Sequence, residues 1–556
     1  MSMMRDTILV AAAACSCTAA PVVPAVHFPD APPVTLVDDR RDVSAPPEVT
    51  PNFNRLLFYD RAVVGPILRA LALPRSSRAL GVNALDEVPD STWFTNRIGV
   101  ADLSPDEIRT GPLTDEGPEL HKPWTIRSTK PGGAELGFVI ADARGIKYLM
   151  KFDDADLPEI ETGAHVVVNR LLWACGYNVP EDEIAYVRPS ELLLAPDATI
   201  KDGLGRSIQR LDRWGVDQRL AKVWHTSDGR LRVMVSRWLP GTSLGGAPVS
   251  GVRGDDPNDR IPHERRRDLR GQYPIFAWVD HVDLNGGSFL DMWIPDPHHP
   301  QRHYVEHYRI DFGKSLGVMA STGHYPQEGH VYSVDYPDMA RSLVTFGIAR
   351  RPWGQHLAPA LTGVATTFVA EDFDPGAWHP DIPYRPFEEA DRFDKFWGAR
   401  LVARFGRDQI HAAVEAGRFS DPRAVEYLTD TLVARQRATE AYWFSRVDPL
   451  VDFAADEDSV CFDDLAIDVG LVPAAATRYE VTSYDARMRP LGGVAAVGAA
   501  ASGPTCTPPL AKSTAGDGYT IVKIETRRSG FSGHTFVHLA RDPSSGAWHV
   551  IGVWRP

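Results

Sequence analysis

The stretch His307-Tyr-Arg-Ile-Asp311-Phe312-Gly313 decides the fold predicted for this 556-residue chain. Residues 304–310 have the composition of a β-strand, and Asp311 follows directly where that strand would end. A carboxylate held at the end of a strand is a hard oxygen donor of the kind that magnesium prefers. A second acidic motif, His281-Val-Asp283-Leu284, precedes Asp311 by 28 residues. The sequence therefore predicts a magnesium ligand at Asp311 and a partner carboxylate at Asp283.

The elements before these motifs change type along the chain. Short alternating runs at 124–127, 138–141 and 148–152 are separated by turns and predict a β-meander. Residues 159–176 then place apolar side chains at helical spacing and end at Gly176, which predicts an amphipathic helix. Strand candidates follow at 183–187 and 230–238, and the next two hundred residues are mainly helical in pattern. An α+β fold is expected, with a β-rich part before a helical one.

Composition divides the chain into five segments, each with a different expected character. We assign residues 1–20 to a signal peptide, 21–52 to a Pro-rich linker, 53–245 to an N-terminal segment with a β-rich lobe, 246–452 to a helical lobe, and 453–556 to a small β-rich domain. The last domain is rich in Ala, Gly, Thr and Val, and several of its runs have strand character.

The first twenty residues have the pattern of an export signal. One arginine, Arg5, precedes a short apolar run that ends in small residues around Cys15 and Cys17. The apolar run is too short to span a bilayer. A cysteine after a run of alanines also resembles a bacterial lipoprotein signal, although alanine stands where leucine is usual three positions before it. We expect export to the periplasm or the outer cell envelope, with lipid attachment at Cys15 or Cys17 as one form of it.

The net charge of the chain limits the classes of partner that we expect it to bind. The formal net charge is −14 at pH 7, and the one dense basic run, Arg265 to Arg267, is surrounded by acidic residues. A surface of this kind does not favour binding to nucleic acid. We expect no nucleic-acid partner and no contact with a membrane except through the N-terminal lipid.

Two cysteines near the C-terminus are candidates for a disulfide. Cys461 and Cys506 both lie in the β-rich domain, whereas Cys175 lies inside an apolar helical pattern. If the protein is exported, a disulfide between Cys461 and Cys506 is one of two open alternatives, the other being that they are not bonded.

The order of these motifs resembles that of the protein-kinase superfamily. The chain is similar to its atypical branch, which includes HipA-type bacterial kinases, phosphoinositide kinases and secretory-pathway kinases. It resembles more closely a family of long, exported bacterial proteins with no assigned activity. This second resemblance is carried by residues 89–97, 255–264 and 307–313 and extends over roughly residues 80–450. It implies a two-lobed fold rather than an activity.

The resemblance implies a role for each polar residue in the predicted cleft. Lys151, at the end of the third strand, would pair with the phosphates of ATP, and the turn at Gly132 and Gly133 would cover them. Asp283 would orient the acceptor hydroxyl, with His281 beside it in the catalytic loop. Asp311 would hold magnesium. ATP and magnesium are thus the expected cofactors.

Two positions depart from the kinase pattern. An asparagine is expected five residues after the catalytic aspartate, but Ser288 is there when the count starts at Asp283. Asn285 has the required spacing only if the count starts at Asp280, so Asn285 and Ser288 both stay candidate metal ligands. The helix glutamate expected to pair with Lys151 is replaced by His165, and Glu161 is the nearby substitute.

These departures leave two functions open. The first is an extracytoplasmic phosphotransferase that uses ATP and magnesium on an unknown hydroxyl acceptor. The second is a catalytically inactive kinase-fold protein that serves as a scaffold in the cell envelope and binds an envelope protein.

Overall fold

The structure is a computed structural model that describes residues 26–50, 63–71, 77–131, 136–202, 205–318, 327–351, 353–514 and 518–556. The predicted signal peptide and the predicted turn at Gly132 and Gly133 lie outside the described residues. The content is mixed α and β, with four β-sheets. Within the described residues, no helix has the length and apolar character needed to cross a membrane.

The first sheet has seven strands and carries Lys151. They are β1 Trp124–Thr129, β2 Gly137–Ala141, β3 Lys147–Phe152, β4 Asp182–Val187, β5 Leu192–Lys201, β6 Ser207–Arg210 and β7 Leu231–Arg237. Their order across the sheet is β4-β7-β3-β2-β1-β5-β6. Every pair is antiparallel except β1 with β5. The predicted meander is confirmed as β1 to β3, whereas β5 and β6 are additions that the sequence analysis did not predict.

Four helices belong to this half of the chain: α1 Gly65–Leu71, α2 Pro105–Thr110, α3 Ile160–Cys175 and α4 Arg213–Leu220. Helix α3 ends at Gly176, whose φ of 117° suits glycine because a side chain is strained there. Val166 of α3 packs on Ile184 and Met234 of the sheet. The rest of its apolar face, including Val167 and Leu171, joins the core of the helical unit that follows. Helix α3 therefore connects the two units.

The helical unit contains seven helices and a small sheet. The helices are α5 Arg267–Arg270, α6 Gln272–Trp278, α7 Tyr336–Val344, α8 Arg385–Glu389, α9 Arg392–Ala403, α10 Arg407–Glu415 and α11 Pro422–Phe444. The sheet has the order β10-β9-β8, with β8 Thr242–Ser243, β9 Phe289–Pro295 and β10 His303–Arg309. Residues 279 to 288 connect α6 to β9, and Asp311 lies two residues after β10. The acidic motifs thus lie in neighbouring loops at the ends of buried elements.

The C-terminal domain consists of two antiparallel sheets. Strands β11 Leu450–Ala455, β12 Val460–Asp464 and β15 Thr505–Cys506 form one of them. The other has the order β14-β13-β16-β17-β18, with β13 Arg478–Asp485, β14 Ala495–Gly498, β16 Thr520–Arg528, β17 Phe531–Arg541 and β18 Trp548–Trp554. A short helix, α12 Leu465–Asp468, follows β12. A disulfide joins Cys461 to Cys506, which are paired opposite each other in β12 and β15.

Residues 26–50 form an extended segment, which we call the strap, held against the rest of the protein. At its start, Phe28 donates its backbone N–H to the Tyr519 hydroxyl at 2.9 Å, and its ring fills the space where a side chain at Gly552 would lie. Further along, Val43 donates to the carbonyl of His303 in β10 at 2.7 Å, and Thr50 donates to that of Leu244 at 2.8 Å. The segment expected to be a Pro-rich linker is extended, but over these residues it is bound rather than free.

Candidate functional site

Lys151 and Asp311 form the central contact of the site. Lys151 lies on β3 between Gly137 of β2 and Met234 of β7, and its side chain is only 7% exposed. Its ammonium group binds Oδ1 of Asp311, whose side chain is 43% exposed. A buried cation is therefore paired with a carboxylate that opens toward solvent.

Asp311 is held in an ionised and conformationally restricted state. The positive charge of Lys151 is the main cause that lowers the pKa of its carboxyl; burial opposes the effect, and Lys130 adds to it. The backbone of Asp311 has a φ of 67°, in the left-handed region that costs energy for residues other than glycine. Strain of this kind persists at sites where the surroundings fix the conformation. The carboxylate is thus presented in one orientation and is available as an anion at neutral pH.

Glu161 lies against the Asp-Phe-Gly segment. An ideal Cβ built on Gly313 would be 2.8 Å from Oε1 of Glu161, so the two residues are in close contact. Glu161 is in the first turn of α3. The structure therefore places Glu161, which the sequence analysis selected, beside the segment that follows Asp311.

The sequence analysis placed His165 at the position expected for a partner of Lys151, but His165 has a different partner. Its Nε2 is hydrogen-bonded to Oδ2 of Asp182 at 2.9 Å, and both side chains are buried. Its ring also packs edge-on against Phe312, with 5.4 Å between ring centroids. Asp182 was missed by the sequence analysis because it begins β4, beyond the end of α3, with no motif around it. The His165–Asp182 pair supports Phe312 from the side of the first sheet.

His281 supports Phe312 from the helical unit. Only 1% of it is exposed, its Nδ1 lies 2.9 Å from the Ser315 hydroxyl, and its ring centroid is 5.8 Å from that of Phe312. Burial, aided by the charge of Arg309, lowers the pKa of His281 to about 4. A neutral ring without access to the opening cannot exchange protons with a bound molecule. His281, predicted among the catalytic residues, is placed here as a positioning residue beneath the loop.

Asp283 lies at the surface of the same loop. Its side chain is 19% exposed and forms an ion pair with Lys314 at 3.2 Å. Asn285 Nδ2 donates to Asp283 Oδ1 at 3.0 Å. Lys314 follows Gly313 directly and was not selected from the sequence, because a single lysine after a motif carries no pattern. The ion pair ties the loop of Asp283 to the segment of Asp311.

The structure distinguishes the two possible registers of this loop. Asp280 accepts a 2.9 Å hydrogen bond from Trp378 Nε1 and is nearly buried, whereas Asp283 and Asn285 bond to each other and are both partly exposed. The Ser288 hydroxyl donates to the Asp283 carbonyl at 2.9 Å and accepts from the Asn285 N–H at 3.1 Å. Ser288 is only 4% exposed, so its hydroxyl stabilises the loop itself. Asn285 is the more exposed of the two candidate metal ligands, and its Oδ1 accepts a hydrogen bond from the Gly287 N–H at 2.7 Å within the loop.

Asp283 and Asp311 both act on His281. Each carboxylate favours the protonated form of its ring, although burial outweighs them. Asp283 is also ion-paired to Lys314, which directly follows the Asp-Phe-Gly segment. That an upstream and a downstream aspartate act together in one site stays a prediction.

The donor set fits magnesium held jointly with a phosphate. No cluster of three or more His, Cys, Asp or Glu side chains with the arrangement of a preformed metal site occurs in the part of the chain that the structure describes. Magnesium at phosphate sites typically takes one or two carboxylates and completes its shell with water and phosphate oxygens. Asp311 and Asn285 offer two oxygen donors of that type, and Lys151 offers a cation for phosphate.

A further acidic residue, Glu328, lies beside the loop. Burial, together with the nearby carboxylates of Asp381, Asp280 and Asp283, raises the pKa of Glu328 to about 8. Gly329 pairs with His379 in an isolated β-bridge, and Asp381 donates its N–H to the carbonyl of Val282 at 2.8 Å, so the segment of Glu328 is connected to the loop. Glu328 lies in no motif, and the sequence analysis did not select it.

Comparison with known proteins finds little similarity. No protein-family model and no curated protein matches the chain. Among solved structures, a crystal structure of the Golgi casein kinase is 11% identical with a TM-score of 0.29, and the match covers 72% of this chain and 93% of that chain. A crystal structure of the Golgi casein kinase with Mn/ADP bound is 11% identical with a TM-score of 0.21, covering 50% and 73%. At these TM-scores neither similarity supports an argument about this chain.

Proposed function

We propose that this chain is a kinase-like protein with two lobes that binds ATP and magnesium between them and transfers a phosphoryl group to an unknown hydroxyl acceptor. The first sheet with α3 is the N-terminal lobe, within residues 53–245, and the helical unit is the C-terminal lobe, within residues 246–452. One observation carries the proposal: the ammonium group of Lys151 on β3 binds the carboxylate of Asp311 after β10. A strand lysine and an Asp-Phe-Gly aspartate meet in this way at the phosphate site of protein kinases.

Each residue of the site has its own role in phosphoryl transfer, which depends mainly on positioning and on stabilising negative charge. Lys151 binds the phosphates, and Asp311 and Asn285 hold magnesium, which when bound neutralises charge on the phosphate oxygens. Glu161 fixes the segment of Gly313 from the side of α3. Asp283 orients the acceptor hydroxyl and accepts its proton, and Lys314 forms an ion pair with Asp283.

A catalytically inactive scaffold of the cell envelope is the alternative. It is favoured by Ser288, whose hydroxyl is hydrogen-bonded within the loop, and by His165, which is bonded to Asp182 instead of to Lys151. Under this alternative the cleft keeps its shape and binds a nucleotide or an envelope protein without turnover. The two functions differ in whether ATP is consumed.

The proposal includes export to the periplasm or the outer cell envelope, with an N-terminal lipid at Cys15 or Cys17 as one form of attachment. The Cys461–Cys506 disulfide supports it, because structural disulfides persist in oxidising compartments. The net charge of −14 supports the expectation that nucleic acid is not a partner.

Thermal unfolding with and without ATP and magnesium tests the proposal, since a ligand stabilises only the state that binds it. The full chain should gain stability with ATP and magnesium together, and Asp311→Asn should lose that gain. Asp430→Asn, a change of the same chemistry at a 67% exposed position of α11, is the matched control. Absence of any stabilisation by ATP with magnesium or manganese rejects nucleotide binding.

ATP hydrolysis by the same proteins separates the two functions. An active enzyme hydrolyses ATP slowly without its acceptor, and Asp283→Asn should abolish this while keeping the thermal stabilisation. A wild-type chain that binds ATP and does not turn it over supports the scaffold.

A further inference from the structure

Helix α7 exposes its apolar side chains to solvent. None of its residues is buried, although Met339, Leu343 and Val344 are large and apolar. The turn that follows continues this surface, with Phe346 88% exposed and Ile348 82% exposed. We call the side chains of Tyr336, Met339, Leu343, Val344, Phe346 and Ile348 the α7 face.

Helix α7 is bonded through its polar side to the segment that follows it. Arg351 donates to Oδ2 of Asp338 at 3.0 Å and to the Ser342 hydroxyl at 2.5 Å, and its guanidinium is only 19% exposed. Asp338 and Ser342 are four residues apart, so they lie on one side of the helix. The apolar side chains of the α7 face take no part in this network and are exposed.

Local charge is opposite in sign to that of the whole chain. Residues 336–351 contain three arginines and one aspartate, a net charge of +2, whereas the whole chain has −14. Asp338 is neutralised by Arg351. Among the described residues, neither Arg341 nor Arg350 has a carboxylate within ion-pair distance, and both are exposed. Two uncompensated positive charges thus flank an apolar surface.

We propose that the α7 face is a docking surface for an anionic lipid bilayer. Helices that lie in the membrane interface combine an exposed apolar side with basic residues and aromatic rings, as found here with Arg341, Arg350 and Phe346. A protein partner is less well matched, because a stable interface usually takes about 20–30 residues on each side and this surface has six apolar ones. The surface is separate from any lipid attached to the N-terminus.

Docking at α7 would bring the cleft close to the membrane. Ser333, three residues before α7, donates its N–H to the Asp381 carbonyl at 2.8 Å, and Asp381 donates to the Val282 carbonyl at 2.8 Å. Two hydrogen bonds thus connect the base of α7 to the loop of Asp283. If the proposed phosphotransfer is correct, on which this step alone rests, the acceptor hydroxyl is presented at a membrane surface.

Co-sedimentation with vesicles tests the docking surface. Full chains with Cys15→Ser and Cys17→Ser, which cannot carry the lipid, are mixed with phosphatidylcholine vesicles that do or do not contain phosphatidylglycerol. The parent protein should bind the anionic vesicles. Burial of a leucine or phenylalanine changes partitioning by about tenfold, so Leu343→Asp with Phe346→Asp should weaken binding by about 100-fold. Arg341→Gln with Arg350→Gln should weaken binding to the anionic vesicles only.

The control substitutes apolar residues of matched exposure elsewhere. Leu120→Asp with Trp214→Asp, at 72% and 71% exposure, should leave vesicle binding unchanged. Unfolding temperatures should be equal in all variants, since no residue of α7 is buried. Equal vesicle binding by the parent and the Leu343/Phe346 variant overturns the proposal. The proposal is also overturned if the parent protein sediments as a dimer and these two substitutions dissociate that dimer. ATP binding is measured separately, so failure of either proposal is recognised independently.

Discussion

The ammonium group of Lys151 binds the carboxylate of Asp311 across 160 residues of sequence. The contact joins the first sheet to the segment after β10, and Glu161, Phe312 and Lys314 gather around it. Lys151 is buried and Asp311 is partly exposed. Loss of the ion pair therefore costs more free energy at Lys151 than at Asp311.

A double-mutant cycle should detect this dependence. Asp311→Asn leaves a buried ammonium group without its anion, and Lys151→Met removes the buried charge. We expect the two changes to be non-additive, with a coupling free energy of about 1–2 kcal/mol for a partly exposed pair. Urea unfolding of the four proteins at pH 7 measures it. Strictly additive losses would show that the contact contributes nothing to stability.

The stability of the protein should depend on pH through His281. Its pKa is lowered to about 4 in the folded state, against about 6.5 when unfolded. The unfolded chain then binds the proton more tightly, so the contribution is fully present above pH 6.5 and is lost as the pH falls toward 4. The wild type should lose about 3 kcal/mol more than His281→Asn between pH 7 and pH 4. Parallel urea-unfolding profiles of the two proteins would contradict this.

Glu328 should have the opposite pH dependence. Its pKa is raised to about 8, so its contribution to stability is present below the unfolded value and is lost as the pH rises through 8. Glu328→Gln should therefore stabilise the protein by up to about 4–5 kcal/mol at pH 8.5 and have little effect at pH 4. Chemical unfolding at both pH values measures the difference. Equal effects at the two values would mean that Glu328 is not held among the carboxylates of Asp280 and Asp381.

Reduction of the Cys461–Cys506 disulfide should destabilise the C-terminal domain. The two cysteines are separated by 45 residues, and closing a loop of this length typically stabilises a protein by about 2–4 kcal/mol. A paired Cys461→Ser and Cys506→Ser variant should show a lower Tm that no longer responds to reductant. Cys175→Ser provides the matched control, since its thiol is buried in α3 and unpaired. A wild-type Tm that is the same with and without reductant would contradict the prediction.

The elements that bear Lys151 and Asp311 were predictable because each carries its own local pattern. Alternating residues defined β1 to β3, and an apolar period that stops at Gly176 defined α3. The expected helical pattern of the following two hundred residues includes the 23 residues of α11. The partner of His165 was not predictable. Asp182 contacts it only because β4 lies beside α3, which is decided by packing rather than by spacing in the sequence.

Helix α7 shows a second limit of sequence patterns. Residues 336 to 346 have helical periodicity, and the structure has a helix from Tyr336 to Val344. An apolar period normally indicates the side that faces the core. Here no residue of α7 is buried, and its large apolar side chains are exposed. Periodicity identifies the two sides of a helix but does not decide whether either of them is buried.

The strap has a consequence for the order in which the chain folds. The bond from Phe28 to Tyr519 joins residues 491 positions apart, and the one between His549 and Asp30 joins residues 519 apart. Contacts of such sequence separation form late, because the loops that they close cost entropy before any gain is made. Phe28 and Asp30 thus reach these native partners only after Tyr519 and His549 have been synthesised. Binding of the strap to the C-terminal domain is therefore a late step of folding.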